Sequence, residues 1–267
     1  MLHLDFIMHS FDRAIRLKSE GEHLRATLDR RWWVGDVGPW GGYISALLAA
    51  AIARTVPELP LVSMTIHLLR RLEEGDAVVA IDIESRGSRL AHVSARIVQG
   101  GASGAVALAT LGVNPQDDFV SDFAMPPAKQ PDEVKRRNES SHPYMQHFDI
   151  RPTVLVKPWS GENEGTLAGW IGMSEPRALD VPLLAAIPDA WMPGTWARLT
   201  EPAGKVTINL SINFRSAISE GDLGPWFVRV RSRHVERGFN DEDCEVWGSD
   251  GRLLAQSRQV ALLSRRN

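Results

Sequence analysis

Val206-Thr207-Ile208-Asn209-Leu210-Ser211-Ile212-Asn213-Phe214 alternates apolar and polar residues over nine positions. Alternation with a period of two marks a β-strand with one face in a core. Earlier in the chain, Val62-Ser63-Met64-Thr65-Ile66-His67-Leu68 does the same. Each stretch leads to a Glu-Gly-Asp turn, Glu74-Gly75-Asp76 and Glu220-Gly221-Asp222, and the two triplets stand 146 residues apart. At that offset Val62 matches Ile208, Met64 matches Leu210, Ile66 matches Ile212 and Leu68 matches Phe214. A pattern that returns at one fixed spacing implies a duplicated unit.

The surroundings of the two strands extend the match. After the first turn, strand-like stretches cover 78–83, 92–98 and 105–111; after the second they cover 226–230, 244–247 and 253–262. An Arg-Gly pair lies inside each region, Arg86-Gly87 and Arg237-Gly238. Ahead of the first strand, Gly41-Gly42-Tyr43 opens an Ala- and Leu-rich stretch to Arg54, a helix by propensity that Pro57 closes. It is apolar on nearly every side, so it belongs inside a sheet that wraps around it. The second half has a weaker counterpart, in which Asp180 caps a short helix through Leu183, Leu184 and Ala185 before Pro188 interrupts it. Residues 114–147 are rich in Pro, Asp, Ser and charge and read as a crossover linker, with some helix near 132–138 and a solvated basic triplet, Lys135-Arg136-Arg137. A further short helix is expected near Ser10 to Leu17. The resulting division is 1–113, 114–147 and 148–267.

Composition narrows the classes. The chain has 267 residues, 43% hydrophobic and 24% charged, with a formal net charge of −3. These values suit a soluble globular protein and give no electrostatic reason for a nucleic-acid or membrane partner. Cys244 is the one cysteine, which excludes an internal disulfide and suits a reducing, cytoplasmic setting. Met1 to Met8 lacks the basic flank and long apolar run of a signal peptide. Phosphate-loop, dinucleotide and nucleophile-elbow motifs are absent, as are metal-ligand spacings, so no cofactor and no metal are expected.

The chain resembles the double-hotdog acyl-CoA thioesterases, the type II and thioesterase-like group. The matching pieces are Trp40-Gly41-Gly42-Tyr43, Ile66-His67-Leu68-Leu69-Arg70 and Glu84-Ser85-Arg86-Gly87-Ser88-Arg89 in the first half. In the second they are Phe148-Asp149-Ile150-Arg151-Pro152, Leu167-Ala168-Gly169-Trp170-Ile171, Ile212-Asn213-Phe214-Arg215 and Asp250-Gly251-Arg252-Leu253-Leu254-Ala255. The resemblance implies an α+β fold of two fused hotdog domains, each a curved antiparallel sheet around a central helix. It also implies hydrolysis of an acyl-CoA to free acid and CoA, without a metal or a covalent intermediate, and a homo-oligomer. In the type II group an Asp, a hydroxyl residue and a Gln of the second domain hold and activate water. Carried over, the Gln falls on Gln259, the hydroxyl on Ser232 and the Asp on Asn209. The first-copy counterparts of Asn209 and Gln259 are Ser63 and roughly Gly112, which favours a single site in the second copy.

Thioester hydrolysis needs a placed and partly deprotonated water and a stabilised oxyanion. Helix N-termini carry free N–H groups and partial positive charge. The Gly42 and Tyr43 amides, with Gly41 allowing close approach, are therefore candidate oxyanion donors; equally, the glycine pair could serve only to turn the chain into the helix. By alternation Asn209 shares a face with Thr207, Ser211 and Asn213. An amide holds water but takes no proton, so Asn209→Asp is expected to raise activity unless Asp36 or His67 acts as base. Arg70, Arg71, Arg86, Arg89 and Arg237 are candidates for CoA phosphates. Trp32, Trp33, Trp40, Trp170, Trp191 and Trp196 are candidates for an acyl tunnel or for core packing. The substitution at the Asp position also leaves open a catalytically weak or inactive protein that binds acyl-CoA or a lipid-like ligand, and a hotdog protein acting on a non-CoA substrate.

Overall fold

The computed structural model describes residues 8–114, 120–137 and 142–265. The first half begins with α1 (Ser10–Ala14), β1 (Lys18–Glu20) and β2 (His23–Leu28), followed by a two-strand ribbon of β3 (Trp33–Val34) and β4 (Gly38–Pro39). Then come α2 (Gly41–Thr55), β5 (Leu61–Leu68), β6 (Gly75–Arg86), β7 (Leu90–Gln99) and β8 (Ala102–Gly112). The second half holds β9 (Phe148–Val154), β10 (Gly165–Met173), α3 (Val181–Ala186), α4 (Thr195–Arg198) and β11 (Ala203–Phe214). It closes with β12 (Trp226–Ser232), β13 (Val235–Glu236), β14 (Phe239–Trp247) and β15 (Leu253–Arg265).

One antiparallel sheet runs through both halves in the order β1-β2-β6-β7-β8-β5-β11-β15-β14-β12-β10-β9, with β13 as a side branch on β14. Read outward from the centre, the two sides follow the same order. The centre is the β5–β11 ladder, formed by the two alternating strands. Thr65 lies opposite Ser211 and their hydroxyl oxygens are 3.0 Å apart. These two residues are separated by 146 positions, so a pseudo-two-fold axis passes between a residue and its own repeat. α2 is buried along most of its length and packs against α3, giving the helix-in-sheet arrangement expected of a double hotdog.

The alternating strands depart from simple alternation at equivalent places. The β5–β8 ladder shifts register between Leu61 and Ser63, leaving Val62 as the extra residue. The β11–β15 ladder shifts between Thr207 and Asn209, leaving Ile208 as the extra residue. A bulge of this kind reverses which side chains face the core. Met64, Ile66, Leu210 and Ile212 are buried as expected, but Val62 and Val206 are exposed. Upstream of Ile208, Lys205 and Thr207 take the inward positions instead.

The segment between the halves is more than a linker. Met125 and Ala128 pack on Trp170, Phe227 and Trp247, and the Trp170 indole donates to the Lys129 carbonyl at 2.8 Å. Tyr144 is buried against Trp40, and His147 stacks on Trp32. The helix expected near 132–138 is a single 3₁₀ turn, Pro131–Glu133, because the chain then extends to pair Arg137 N–H with the Ile150 carbonyl; Asn138 lies outside the described residues. The basic triplet is partly engaged, since Arg136 donates to Ser174 at 2.8 Å. α1 stops at Ala14, short of Leu17.

Candidate active site

Prolines between β10 and β11 shape the site. The first half has the unbroken α2 just ahead of β5. Ahead of β11, Pro188 and Pro193 divide the chain into α3, a 3₁₀ turn Ile187–Asp189 and α4, while Pro182 sits in the first turn of α3, where proline is tolerated. A proline inside a helix lacks an N–H and crowds the preceding turn, so one continuous helix is disfavoured here. Asp180 caps α3 as expected, accepting from Leu183 N–H at 2.9 Å.

Asp189 closes the 3₁₀ turn and points at the start of α2. Trp40, the N-cap residue of α2, offers no side-chain acceptor. Asp189 supplies one from the other half: its Oδ2 accepts from Gly42 N–H at 3.0 Å, and its carbonyl accepts from the Trp40 indole at 2.7 Å. The partial positive charge of the helix end favours a carboxylate there. Close approach explains the glycine pair. A Cβ on Gly41 would lie 2.7 Å from Asp189 Oδ2. On Gly42 it would lie 2.2 Å from the Trp40 ring and 2.6 Å from the Ala186 carbonyl oxygen. Neither glycine has positive φ, so the pair provides room for these neighbours rather than an unusual turn.

A cavity of about 400 Å³ opens over this point. Asp189, Trp40, Gly41, Tyr144, Trp191 and Trp196 line it, with Leu68 and Ile44. Lys205 and Thr207 enter from β11, and Arg70 and Arg71 stand among the wall residues. Asp189 is half-buried and forms part of the cavity wall. Burial pushes its pKa up to about 6, against the pull of Lys205 and of hydrogen bonds from Gly42 and Gln259; Glu242 adds to the rise. Burial, helped by the Asp189 charge, raises the Tyr144 phenol further from ionisation. Its ring stacks on Trp40 with centroids 4.6 Å apart.

Behind the wall runs a buried polar chain. Gln259 Oε1 accepts from Thr207 Oγ1 at 2.9 Å, and its Nε2 donates to Glu242 Oε1 at 2.9 Å. Lys205 Nζ meets the same Glu242 oxygen at 2.7 Å. Glu242 Oε2 accepts from Gly194 N–H at 2.8 Å, and the next residue, Thr195, donates to Ser232 Oγ at 2.8 Å. Ser232 and Gln259 thus belong to one buried cluster at the cavity.

Asn209 does not join them. It is in phase with Ser211 and Asn213, on the outward face with its ladder partners His67 and Val260, both exposed, while the Ile208 bulge puts Thr207 on the inner side. His67 is accordingly on the opposite side of the sheet from the cavity. Asp36 is almost fully exposed and pairs with Arg30 at 2.6 Å. Gly41 lines the cavity; the Gly42 amide is occupied by Asp189. The Tyr43 side chain lies in the core, where its hydroxyl donates to the Ala14 carbonyl at 2.9 Å. Of the tryptophans, Trp40, Trp191 and Trp196 line the cavity, whereas Trp32, Trp33 and Trp170 are buried outside its wall. Of the arginines, Arg70 and Arg71 reach it, while Arg86, Arg89 and Arg237 lie at hairpin ends elsewhere. Asp189, Lys205, Glu242 and Tyr144 are the additions that the structure makes. Glu242 carried a signal: in Asn240-Asp241-Glu242-Asp243-Cys244, it is in phase with the buried Cys244 and Val246. Among the described residues, no group of three or more His, Cys, Asp or Glu side chains is placed to hold a metal.

A sheet wrapped on a central helix, built twice and joined at one ladder, with the Asp189 carboxylate in a cavity where the halves meet, defines a double-hotdog protein. The chain belongs to the acyl-CoA thioesterase family: the model of the family's C-terminal domain matches residues 122–263 and that of its N-terminal domain matches residues 29–112. Among solved structures, a conserved hot dog protein of unknown function from Alicyclobacillus acidocaldarius is 22% identical, with a TM-score of 0.90 over 98% of this chain and 100% of that one. The acyl-CoA thioesterase II TesB2 of Mycobacterium marinum is 18% identical, with a TM-score of 0.78 over 97% and 99%. A tesB protein of Mycobacterium avium subs paratuberculosis is 15% identical, with a TM-score of 0.80 over 96% and 98%. A search of curated proteins gives no significant match. No helix among the described residues is long and apolar enough to cross a membrane.

Proposed function

We propose that the chain hydrolyses acyl-CoA thioesters in the Asp189 cavity, with Asp189 as the general base. The observation that carries this reading is a half-buried carboxylate in the cavity wall, held at the start of α2, its pKa pushed up to about 6. A base of this strength is half or more ionised at neutral pH and still accepts a proton from water. Gly42 N–H and the Gln259 amide hold the carboxyl in place, and a remaining carboxylate lone pair takes the attacking water. Water oxygen bonds to the thioester carbon, and its proton passes to Asp189. The oxyanion faces the first turn of α2, where the N–H groups of Gly41 and Tyr43 lack partners within the helix. The C–S bond then breaks. A thiol pKa of ~8.5 makes the thiolate a good leaving group, and Asp189 returns the proton to it.

In this reading Ser232 acts from behind, through Thr195 and the backbone turn that binds Glu242. Asn209 has no part in proton transfer. Arg70 and Arg71 meet the CoA phosphates, and the aromatic wall takes the acyl group. The single cysteine supports a cytoplasmic setting. Exposed apolar residues on the outer face, among them Val62, Leu108, Val206 and Leu262, support a homo-oligomer.

The test is release of free thiol from a panel of short, medium, long and aryl acyl-CoAs. Asp189→Asn should lower turnover by roughly 10²–10⁴-fold while acyl-CoA binding, measured by calorimetry, persists. Binding without turnover in the unaltered protein would favour a ligand-binding role, and absence of CoA binding would point to a different substrate.

A further inference from the structure

We propose that the buried Lys205–Glu242 ion pair sets the pH at which Asp189 takes up its proton, and so the acid limit of activity. This rests on the reading of Asp189 as the base. The Lys205 side chain is 7% exposed and that of Glu242 is 3% exposed. Burying two charges carries a desolvation cost that their attraction barely returns, so such a pair is a poor device for stability. Its location supplies another reason. Lys205 stands in the cavity wall with Asp189, and every near partner of Glu242 is fixed: Lys205 and Gln259 on Oε1, Gly194 N–H on Oε2.

The groups near enough to act on Asp189 come from five elements. α2 presents the Gly42 N–H and β15 the Gln259 amide. β11 presents the Lys205 ammonium, and β14 presents Glu242 and Cys244. The segment before β9 presents the Tyr144 phenol. Burial keeps the thiol and the phenol protonated; Arg70, Arg71 and His142 stand in the same cavity wall, and the pair holds the charges that act most on Asp189. Its two members act in opposite senses on Asp189, the ammonium favouring the carboxylate and Glu242 opposing it.

The opposition makes the inference testable. With Lys205→Met, two carboxylates share a dry site without a cation, and the Asp189 midpoint should rise by about one pH unit or more. With Glu242→Gln, the ammonium is left to Asp189, and the midpoint should fall by a similar amount. Lys205→Arg keeps the charge and should hold the midpoint near that of the unaltered protein. Two readouts are needed: the acid limb of kcat/KM for thiol release, and the carboxyl-carbon NMR titration of Asp189 in the substrate-free protein. Opposite movements of the midpoint establish the inference. Midpoints that stay put, or move in one direction for both variants, overturn it, because a pair that only supports the fold would lower activity alike at every pH. If the unaltered protein releases no thiol at any pH, the hydrolase reading fails, and the NMR titration still decides whether the pair tunes Asp189.

Discussion

Two residues divide the site between them, Asn209 and Asp189. Asn209 occupies the position where the family resemblance puts a carboxylate, but it is in phase with Ser211 and Asn213, on the face opposite the buried Leu210 and Ile212. Ile208 adds one residue to the strand, and so brings Thr207 to the core side and leaves Asn209 on the other. Asn209→Asp should therefore change thiol release by less than about two-fold; a gain of an order of magnitude or more would return the base to position 209. Asp189 escaped the sequence reading because it follows Pro188 in a segment without periodicity, and only the fold brings it to Gly42. Its burial has a cost that can be measured. Its pKa is raised in the folded state from 3.8 to about 6, so the folded protein holds a proton that the unfolded chain has lost. Stability therefore falls as pH rises through that window. Asp189→Asn should remove the penalty. Its melting temperature should exceed that of the unaltered protein at pH 7 to 8, by the equivalent of up to about 3 kcal/mol, and converge with it below about pH 4.

At the scale of elements, the contact of α2 with α3 is the least forgiving. Gly42 lies under the Trp40 ring and against the Ala186 carbonyl, one a locked indole and the other backbone. Gly42→Ala should lower the denaturation midpoint, with a loss of about 1–3 kcal/mol, and pull Asp189 away from the helix end. Urea unfolding and thiol release on the same samples would show both effects. The helix itself was readable from Gly41 to Arg54, since its composition and its closing Pro57 agree. The second-half helix was readable only at its capped start, Asp180 to Ala185. Beyond that, Pro188 and Pro193 leave the path to tertiary contacts. The bulges were hidden for a different reason: Val62 and Ile208 are apolar, so an extra residue at either place leaves the alternation of letters intact while reversing the alternation of faces.

For the whole molecule, the shared sheet ties the halves into one unit. The strand order on one side of Thr65–Ser211 repeats on the other, and the 146-residue offset in the sequence was enough to find it. The site, by contrast, draws on α2 from one half and on β11, β14 and β15 from the other, a meeting that no linear pattern announces. Removing either half would uncover a central strand and split the cavity. Denaturation should thus proceed as one transition, with tryptophan fluorescence and thiol release lost at the same denaturant concentration. Two separated transitions would mean that the halves hold their structure independently.

The axis between Thr65 and Ser211 relates two stretches of a single chain, and that changes what substitution can do. In a pair of identical subunits every replacement occurs twice, so a feature useful on one side is imposed on the other. A fused pair is free of that bond. Here one half keeps a continuous, glycine-led helix, and the other breaks its counterpart with prolines to hold out a carboxylate. Each arrangement would spoil the other's role if copied across the axis. The two halves have become complementary parts, and neither can stand in for its twin.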